Sequence, residues 1–165
     1  MSPKQQQGFS LIELLIVVAI IGIIASIAVP SLLASRRAAN EGSALSAMRT
    51  IHSAQTTYVN TAGSGKYGSL DDLGNEGLVD AVVASGTKSG YTVACPDANL
   101  TDGPPPTFFA TAIPKDTGSA TRTGSRSFAI ADDGIVRAKV TDTAAASLSG
   151  VWKNRAPGAM VFQAS

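Results

Sequence analysis

One long hydrophobic run dominates the beginning of the chain. No charged residue lies between Glu13 and Arg36, and the stretch Leu14–Val29 consists almost entirely of Leu, Ile, Val and Ala. At about 1.5 Å of rise per residue, a helix over Leu14–Ser35 would span about 33 Å, whereas a bilayer core is about 30 Å thick. The pattern therefore predicts a membrane-spanning helix.

After Leu32 the hydrophobic pattern becomes one-sided. Buried-type side chains recur at steps of three and four residues, which is the spacing of an amphipathic helix. These positions are Leu45, Met48, Ile51, Gln55, Tyr58 and Val59. We therefore expect one long helix over residues 9–60, with 9–35 apolar on all sides and 36–60 amphipathic. Because proline removes a backbone hydrogen bond, a bend is expected near Pro30.

The pattern of the remaining residues, 61–165, predicts a globular head of short helices and strands. Ser69 is placed to cap a short helix, and another is expected within residues 78–84. Strand-like runs occupy Tyr91–Ala94, Thr107–Ile113, Ser127–Ala131 and Ile135–Val140, and Asp132-Asp133-Gly134 has the chemistry of a hairpin turn. The predicted fold class is α+β: a long N-terminal helix packed against a small antiparallel sheet of three to four strands.

The amino-acid composition favours a membrane-anchored protein and gives no indication of a soluble partner. Charged residues make up 15% of the chain, the mean hydropathy is +0.17 and the net charge is +1. A typical soluble domain has about 25% charged residues. The near-neutral charge gives no basis for a nucleic-acid partner. A secretory signal is not indicated, because Arg36 and Arg37 follow the run where a small-residue cleavage site would stand.

The N-terminal residues carry a family resemblance. Gly8-Phe9-Ser10-Leu11-Ile12-Glu13 and the apolar run that continues to Pro30 closely resemble the start of type IV prepilins and of type II secretion pseudopilins. The resemblance implies that residues 1–8 are a leader, that a prepilin peptidase cuts between Gly8 and Phe9, and that Phe9 is N-methylated. It also implies the pilin architecture, with the helix forming the core of a fibre.

Glu13 is the one acid beside the hydrophobic run. A carboxylate at the centre of a membrane costs about 2.5–3.5 kcal/mol on insertion scales, so an acid here indicates a function and a partner. After cleavage, the freed amine of Phe9 on the same chain and that of a neighbouring subunit are both candidate partners. The resemblance implies that Glu13 pairs with the terminal amine of an adjacent subunit and sets the axial register. The alternative is an interfacial charge at the level of the lipid headgroups.

The resemblance also suggests a role for Gly22 and Pro30. In assembled fibres, a segment between a glycine and a proline at these places can lose helical order and let the filament stretch. The alternative is a fixed bend that only sets the angle of the head.

Other polar patterns do not indicate an enzyme, a metal site or a cofactor. His52 is the single histidine, and the residues around Asp97 and Asn99 match a calcium loop and a glycosylation sequon only weakly. The G-x-G-x-x-G pattern Gly63–Gly68 follows a predicted helix rather than a strand, so it is interpreted as a linker. Cys95 is expected to be a small buried residue; as the single cysteine it cannot close the C-terminal disulfide of many pilins.

Together these observations predict a structural subunit of a type IV pilus, held in the bacterial inner membrane and then assembled into an extracellular filament. The expected partners are other copies of the chain, the prepilin peptidase, an assembly machinery with an ATPase and a platform protein, and the lipid bilayer before assembly. A periplasmic pseudopilin and a minor pilin remain alternatives within the class. A monomeric, single-pass, membrane-anchored binding module is the alternative from another class.

Overall fold

The computed structural model describes residues 9–95, 107–118 and 121–140. The predicted leader, residues 1–8, lies outside the described residues, as do the segment around Asp97 and Asn99 and residues 141–165. The chain divides into two compact units, Met1–Arg36 and Arg37–Ser165.

A single helix, α1, covers Leu11–Asn60 and belongs to both units. Its first part is apolar on every side, and the helix continues through Gly22 and Pro30. Its last part buries one face, as the amphipathic spacing predicts. The buried residues of α1 are Glu41, Ala44, Ala47, Met48, Ile51, Ala54 and Gln55. Alanines contribute much of this face, and Leu45 and Tyr58 pack at its border.

Two short helices follow the turn at residues 61–68. Helix α2, Leu70–Asn75, begins with a complete capping box, in which Ser69 and Asp72 exchange hydrogen bonds. Helix α3, Ala81–Ala84, is capped by Asp80, so it covers only the end of the predicted range. Within the preceding turn, a Cβ at Gly63 would overlap the Lys66 carbonyl and the Tyr58 ring. That glycine therefore permits a tight turn, in agreement with the linker interpretation.

Within the described residues, five antiparallel strands form one sheet in the order β1-β2-β3-β4-β5. Their bounds are Thr87–Lys88 for β1, Tyr91–Ala94 for β2, Phe109–Pro114 for β3, Arg126–Ala131 for β4 and Arg137–Val140 for β5. The α+β class and the long helix are confirmed. The four predicted strands are β2 to β5, and the two-residue β1 adds the fifth.

The hairpin between β4 and β5 is wider than predicted. Gly134 has a φ of +69°, and its N–H donates to the Ala131 carbonyl over 3.0 Å, so the Asp-Gly turn forms. Strand β5 nevertheless begins at Arg137, and Ile135 lies outside it with 57% of its surface exposed. The side chain of Asp133 accepts a hydrogen bond from the Ile135 N–H, and this local bond replaces sheet pairing there.

The core lies between the second half of α1, the two short helices and one face of the sheet. Its largest fully buried side chains include Tyr91, Phe108, Met48 and Leu73. The rings of Tyr91 and Phe128 lie 6.0 Å apart, and those of Tyr67 and Phe108 lie 4.8 Å apart. Packing of these side chains fixes the sheet to the helix within the second unit.

Candidate functional site

The N-terminal turn of α1 holds the carboxylate that the sequence singles out. Glu13 accepts a hydrogen bond from the Ser10 backbone N–H, with 2.9 Å between Oε2 and the nitrogen. This is one half of a capping box, because Ser10 and Glu13 occupy the N-cap and third helical positions. A negative charge at a helix N-terminus is also favoured by the helix dipole. Phe9, directly before this turn, is 89% exposed, and Gly8 lies outside the described residues.

The first unit presents apolar side chains that nothing in the described part of the chain covers. The exposed fraction of its exposed large apolar side chains ranges from 89% at Phe9 to 38% at Leu33. Helix α1 is long and apolar enough to cross a membrane, with a most apolar window of mean hydropathy 2.9 that is 0% buried. A soluble monomer rarely exposes an apolar patch larger than a few hundred Å². This surface therefore requires lipid or other protein as its surroundings.

Gly22 and Pro30 lie within this exposed part of α1. No atom outside the local helix backbone lies within 4 Å of a Cβ built at Gly22. Close packing within the described chain therefore does not require a glycine there. Pro30 lacks the N–H that would donate to the Ser26 carbonyl. The Ser26 hydroxyl donates to the Ile23 carbonyl over 2.7 Å, so a side chain adds a local bond in this segment. The bend and the loss of helical order stay predictions.

A buried acid in the second unit was not identified from the sequence. Glu41 on α1 is 9% exposed, and its carboxylate accepts hydrogen bonds from the Ser125 N–H over 2.7 Å and from the Arg126 Nε over 2.8 Å. The Arg126 Nη2 also lies 2.8 Å from the same carboxylate. This carboxylate connects the helix to the start of β4. It has the geometry of a structural ion pair rather than of a reactive group.

Cys95 is buried beside the end of β2, as predicted. Its Sγ lies 3.3 Å from the Nε2 of Gln55, which is itself fully buried. Burial raises the pKa of the Cys95 thiol to about 11, and the hydrogen bond from Gln55 opposes part of that rise. The thiol is therefore neutral at physiological pH and unsuited to nucleophilic chemistry.

His52 occupies a packing position at the border of the core. Its ring lies 6.0 Å from that of Phe108, and its Nε2 lies 3.4 Å from the Asp132 carbonyl oxygen. Among the described residues, no group of three or more His, Cys, Asp and Glu could hold a metal ion. The nearby pair Asp133 and Arg137, at 2.7 Å, closes the hairpin turn and lowers the pKa of the Asp133 carboxyl.

Comparison with known proteins places the N-terminal segment in a recognised class. The family described as the prokaryotic N-terminal methylation motif matches residues 3–29. The chain is 31% identical over 128 residues to the type IV major pilin protein PilA of Myxococcus xanthus, covering 74% of this chain and 54% of that protein. It is 55% identical over 38 residues to the type IV wide pilus major component PilA4 of Thermus thermophilus, covering 23% of this chain and 29% of that protein. No solved structure matches the chain.

The predicted resemblance to type IV pilins and pseudopilins is confirmed by these matches. The chain spans about half the length of the Myxococcus pilin and less than a third of the Thermus protein. Both named relatives are filament components, and the methylation motif covers Gly8, Phe9, Glu13 and Gly22 but ends one residue before Pro30.

Proposed function

We propose that this chain, which carries the N-terminal methylation motif of type IV pilins and pseudopilins, is the structural subunit of a type IV pilus. The observation that carries the proposal is the exposed apolar helix with one acid in its first turn, directly after the Gly8–Phe9 pair. A prepilin peptidase removes residues 1–8 at the cytoplasmic face of the inner membrane, and Phe9 is then N-methylated. The mature chain waits in the membrane and polymerises through α1.

In this proposal Glu13 pairs with the terminal amine of Phe9 on an adjacent subunit. The carboxylate oxygen that bonds the Ser10 N–H is one of two, and an ionised carboxylate accepts several hydrogen bonds. Among the described residues only Ser10 donates to Glu13, which leaves capacity for an amine. In apolar surroundings a charge without an oppositely charged partner is strongly destabilising, so the acid and the amine must each meet the other. The requirement therefore selects the axial register in which acid and amine meet.

Assembly exchanges lipid for neighbouring helices around residues 11–33. Lipid tails are as apolar as the helix, so this exchange has no hydrophobic driving force of its own. Close packing, the Glu13 pair and an ATPase with its platform protein must supply the free energy. Gly22 and Pro30 bound the part of the helix that we propose can lose helical order within the filament, because one helical bond is already absent there.

Two measurements on cells that make the protein test the proposal. Mass spectrometry should find a chain that begins at Phe9 and carries one additional methyl group. Electron microscopy of sheared surface fractions should find filaments composed mainly of this chain. A periplasmic pseudopilin or a minor pilin would show the same processing without abundant surface filaments. A chain that keeps Met1, or that is trimmed beyond α1, would contradict the proposal.

The register role of Glu13 has its own test. Glu13→Gln keeps the shape of the side chain but removes the charge, and we expect a loss of surface filaments of about tenfold or more, since about 1.4 kcal/mol changes an equilibrium tenfold. Ser26→Ala is the matched control, because it lies on the same exposed helix and removes only a local bond to the Ile23 carbonyl. Normal filament yield from Glu13→Gln with normal processing would refute the role while leaving the class intact.

A further inference from the structure

The hairpin between β4 and β5 contains a dipeptide with a specific chemical reactivity. Asp133-Gly134 lies in this turn, and Asp102-Gly103 is the other Asp-Gly pair in the sequence. An aspartyl residue rearranges when the backbone nitrogen of the next residue attacks the carbon of its side-chain carboxyl group. Glycine in that next position hinders the attack least, because it has no Cβ. The hairpin therefore contains a potential isoaspartate site.

The rearrangement has two balanced steps. The Gly134 nitrogen forms a bond to the Asp133 Cγ, and its amide proton leaves with the carboxyl hydroxyl group as water. Water then opens the cyclic imide at the former backbone carbonyl of Asp133, so that the main chain continues through Cγ. The mass of the protein is unchanged, and no oxidant or reductant takes part. The product has an additional carbon in its backbone and a free α-carboxylate.

The turn holds the attacking nitrogen in an unreactive position. The Gly134 N–H donates to the Ala131 carbonyl over 3.0 Å, and Gly134 has a φ of +69°. Attack requires this nitrogen to give up its proton and to face the Asp133 Cγ. The hydrogen bond that closes the turn must therefore break before the first step.

Both oxygens of the Asp133 carboxylate are also held. Oδ1 accepts from the Ile135 N–H over 3.0 Å, and Oδ2 accepts from the Arg137 Nη2 over 2.7 Å. Nη1 of Arg137 donates in addition to the Ile135 carbonyl over 3.3 Å. The carboxyl group cannot rotate towards Gly134 without losing these bonds. The hydrogen bond from Arg137 also lowers the pKa of the Asp133 carboxyl, which makes the more electrophilic neutral acid rarer.

His52 of α1 contacts the backbone on both sides of Asp133. Its Nε2 lies 3.4 Å from the Asp132 carbonyl oxygen, and a Cβ built at Gly134 would lie 3.1 Å from the same nitrogen. The peptide group between Asp133 and Gly134 therefore has little room to rotate. Among the described residues, the charged and titratable groups beside the Asp133 carboxyl are Arg137, His52 and the adjacent Asp132.

We propose that Asp133-Gly134 is an isoaspartate-forming site that the folded hairpin suppresses, and that Arg137 is the side chain that suppresses it. Loss of the Arg137 contacts frees the carboxyl group to rotate and makes its neutral form more abundant. Arg137 pairs with Ala129 across the two strands, so an additional backbone carbon in the turn would displace β5 relative to β4. This inference does not depend on the proposed function.

Peptide mapping of the full-length protein in nonionic detergent tests the inference after incubation at physiological temperature and neutral pH. The isoaspartyl peptide separates at unchanged mass, and the peptide with Asp133 is distinct from that with Asp102. We expect Arg137→Gln to form isoaspartate at Asp133 about three- to fivefold faster than the wild type, the change in population that loss of one exposed ion pair allows. Lys139→Gln is the matched control, since it removes the same charge from the same strand and should leave the rate unchanged.

The wild type in urea should form isoaspartate at Asp133 faster than the folded wild type. Equal rates in urea and in the folded protein would overturn the inference, because the hairpin would then give no protection. Equal rates in folded Arg137→Gln and the wild type would also overturn it. An equal increase in Lys139→Gln would assign the effect to net charge. If circular dichroism shows that Arg137→Gln is unfolded, Arg137→Lys provides the same comparison, with a smaller expected increase, since lysine keeps the charge but cannot make both contacts.

Discussion

Gln55 connects three parts of the head, and its replacement should weaken the fold more than that of any exposed residue on α1. Its Nε2 donates to the Gly68 carbonyl over 2.5 Å and to the Cys95 Sγ over 3.3 Å. Its Oε1 accepts from the Gly68 N–H over 3.0 Å. Gln55 is 0% exposed and Gly68 is also buried, so water cannot replace these bonds without a structural opening.

Gln55→Leu replaces the amide with a branched apolar group and leaves the Gly68 N–H and C=O without their partner. Each buried unsatisfied group costs about 1–3 kcal/mol, which gives about 2–6 kcal/mol for the two. Burial of an apolar group in place of the amide offsets about 1 kcal/mol. The expected loss of unfolding free energy is therefore about 1–5 kcal/mol, a large part of the 5–15 kcal/mol of an ordinary domain.

The labelling rate of Cys95 measures this loss in the full-length protein, because it is the single cysteine and is buried. Its modification by a thiol reagent requires the head to open. The rate relative to that in urea should therefore rise at least about fivefold in Gln55→Leu, as about 1 kcal/mol corresponds to that factor. Ser53→Leu, on the exposed face of the same helix, is the control and should change the rate little. Equal rates in Gln55→Leu and the wild type would refute this account of the core.

Three further changes test separate features of the head. Arg126→Ala removes the ion pair but leaves Glu41 its hydrogen bond from the Ser125 N–H. Because the arginine is half exposed, urea titration should show that the free energy of unfolding falls by only about 1 kcal/mol. The difference should become smaller as salt is added. Burial raises the pKa of the Cys95 thiol from 9.0 to about 11. The stability that the buried neutral thiol contributes is complete below pH 9 and is lost towards pH 11, so the urea midpoint of the wild type should fall over that range. Cys95→Ala should make this fall smaller, and an equal fall in both proteins would contradict the prediction. Ser69→Ala removes the cap of α2 and should lower stability by about 1 kcal/mol, with faster amide exchange confined to α2; exchange that rises throughout the sheet would contradict a local role.

The long helix, the capped α2 and four strands could be predicted because each has a local signal. The apolar run needs no distant partner to be recognised, and Ser69 with Asp72 forms a complete motif within four residues. The two-residue β1 has no periodicity to detect. The register of β5 depends on the bond from the Ile135 N–H to Asp133, which competes with sheet pairing and could not be weighed from the pattern alone.

Candidate site residues could be proposed from the sequence where they are close together along the chain. Gly8 and Phe9 were singled out by the resemblance to type IV prepilins, and Glu13 by that resemblance and by its place beside the apolar run. The Ser10 N–H could have been added, since Ser-x-x-Glu is the sequence pattern of a capping box. Glu41 could not be found in this way, because its partner Arg126 lies 85 residues further along the chain. From the sequence alone, Glu41 cannot be distinguished from an acid at an exposed position of the helix.

The two units obtain their stability from different sources, and this difference bears on how a filament could stretch. The head buries its polar groups against its own chain, as Gln55 and Glu41 show. The exposed part of α1 has no such internal support, so its helical state depends on what surrounds it. In lipid, a backbone group without a partner costs several kcal/mol, which keeps the helix intact on both sides of Pro30. Neighbouring chains can offer polar partners that lipid lacks, so the proposed loss of helical order after Gly22 would cost less in an assembly than in the bilayer.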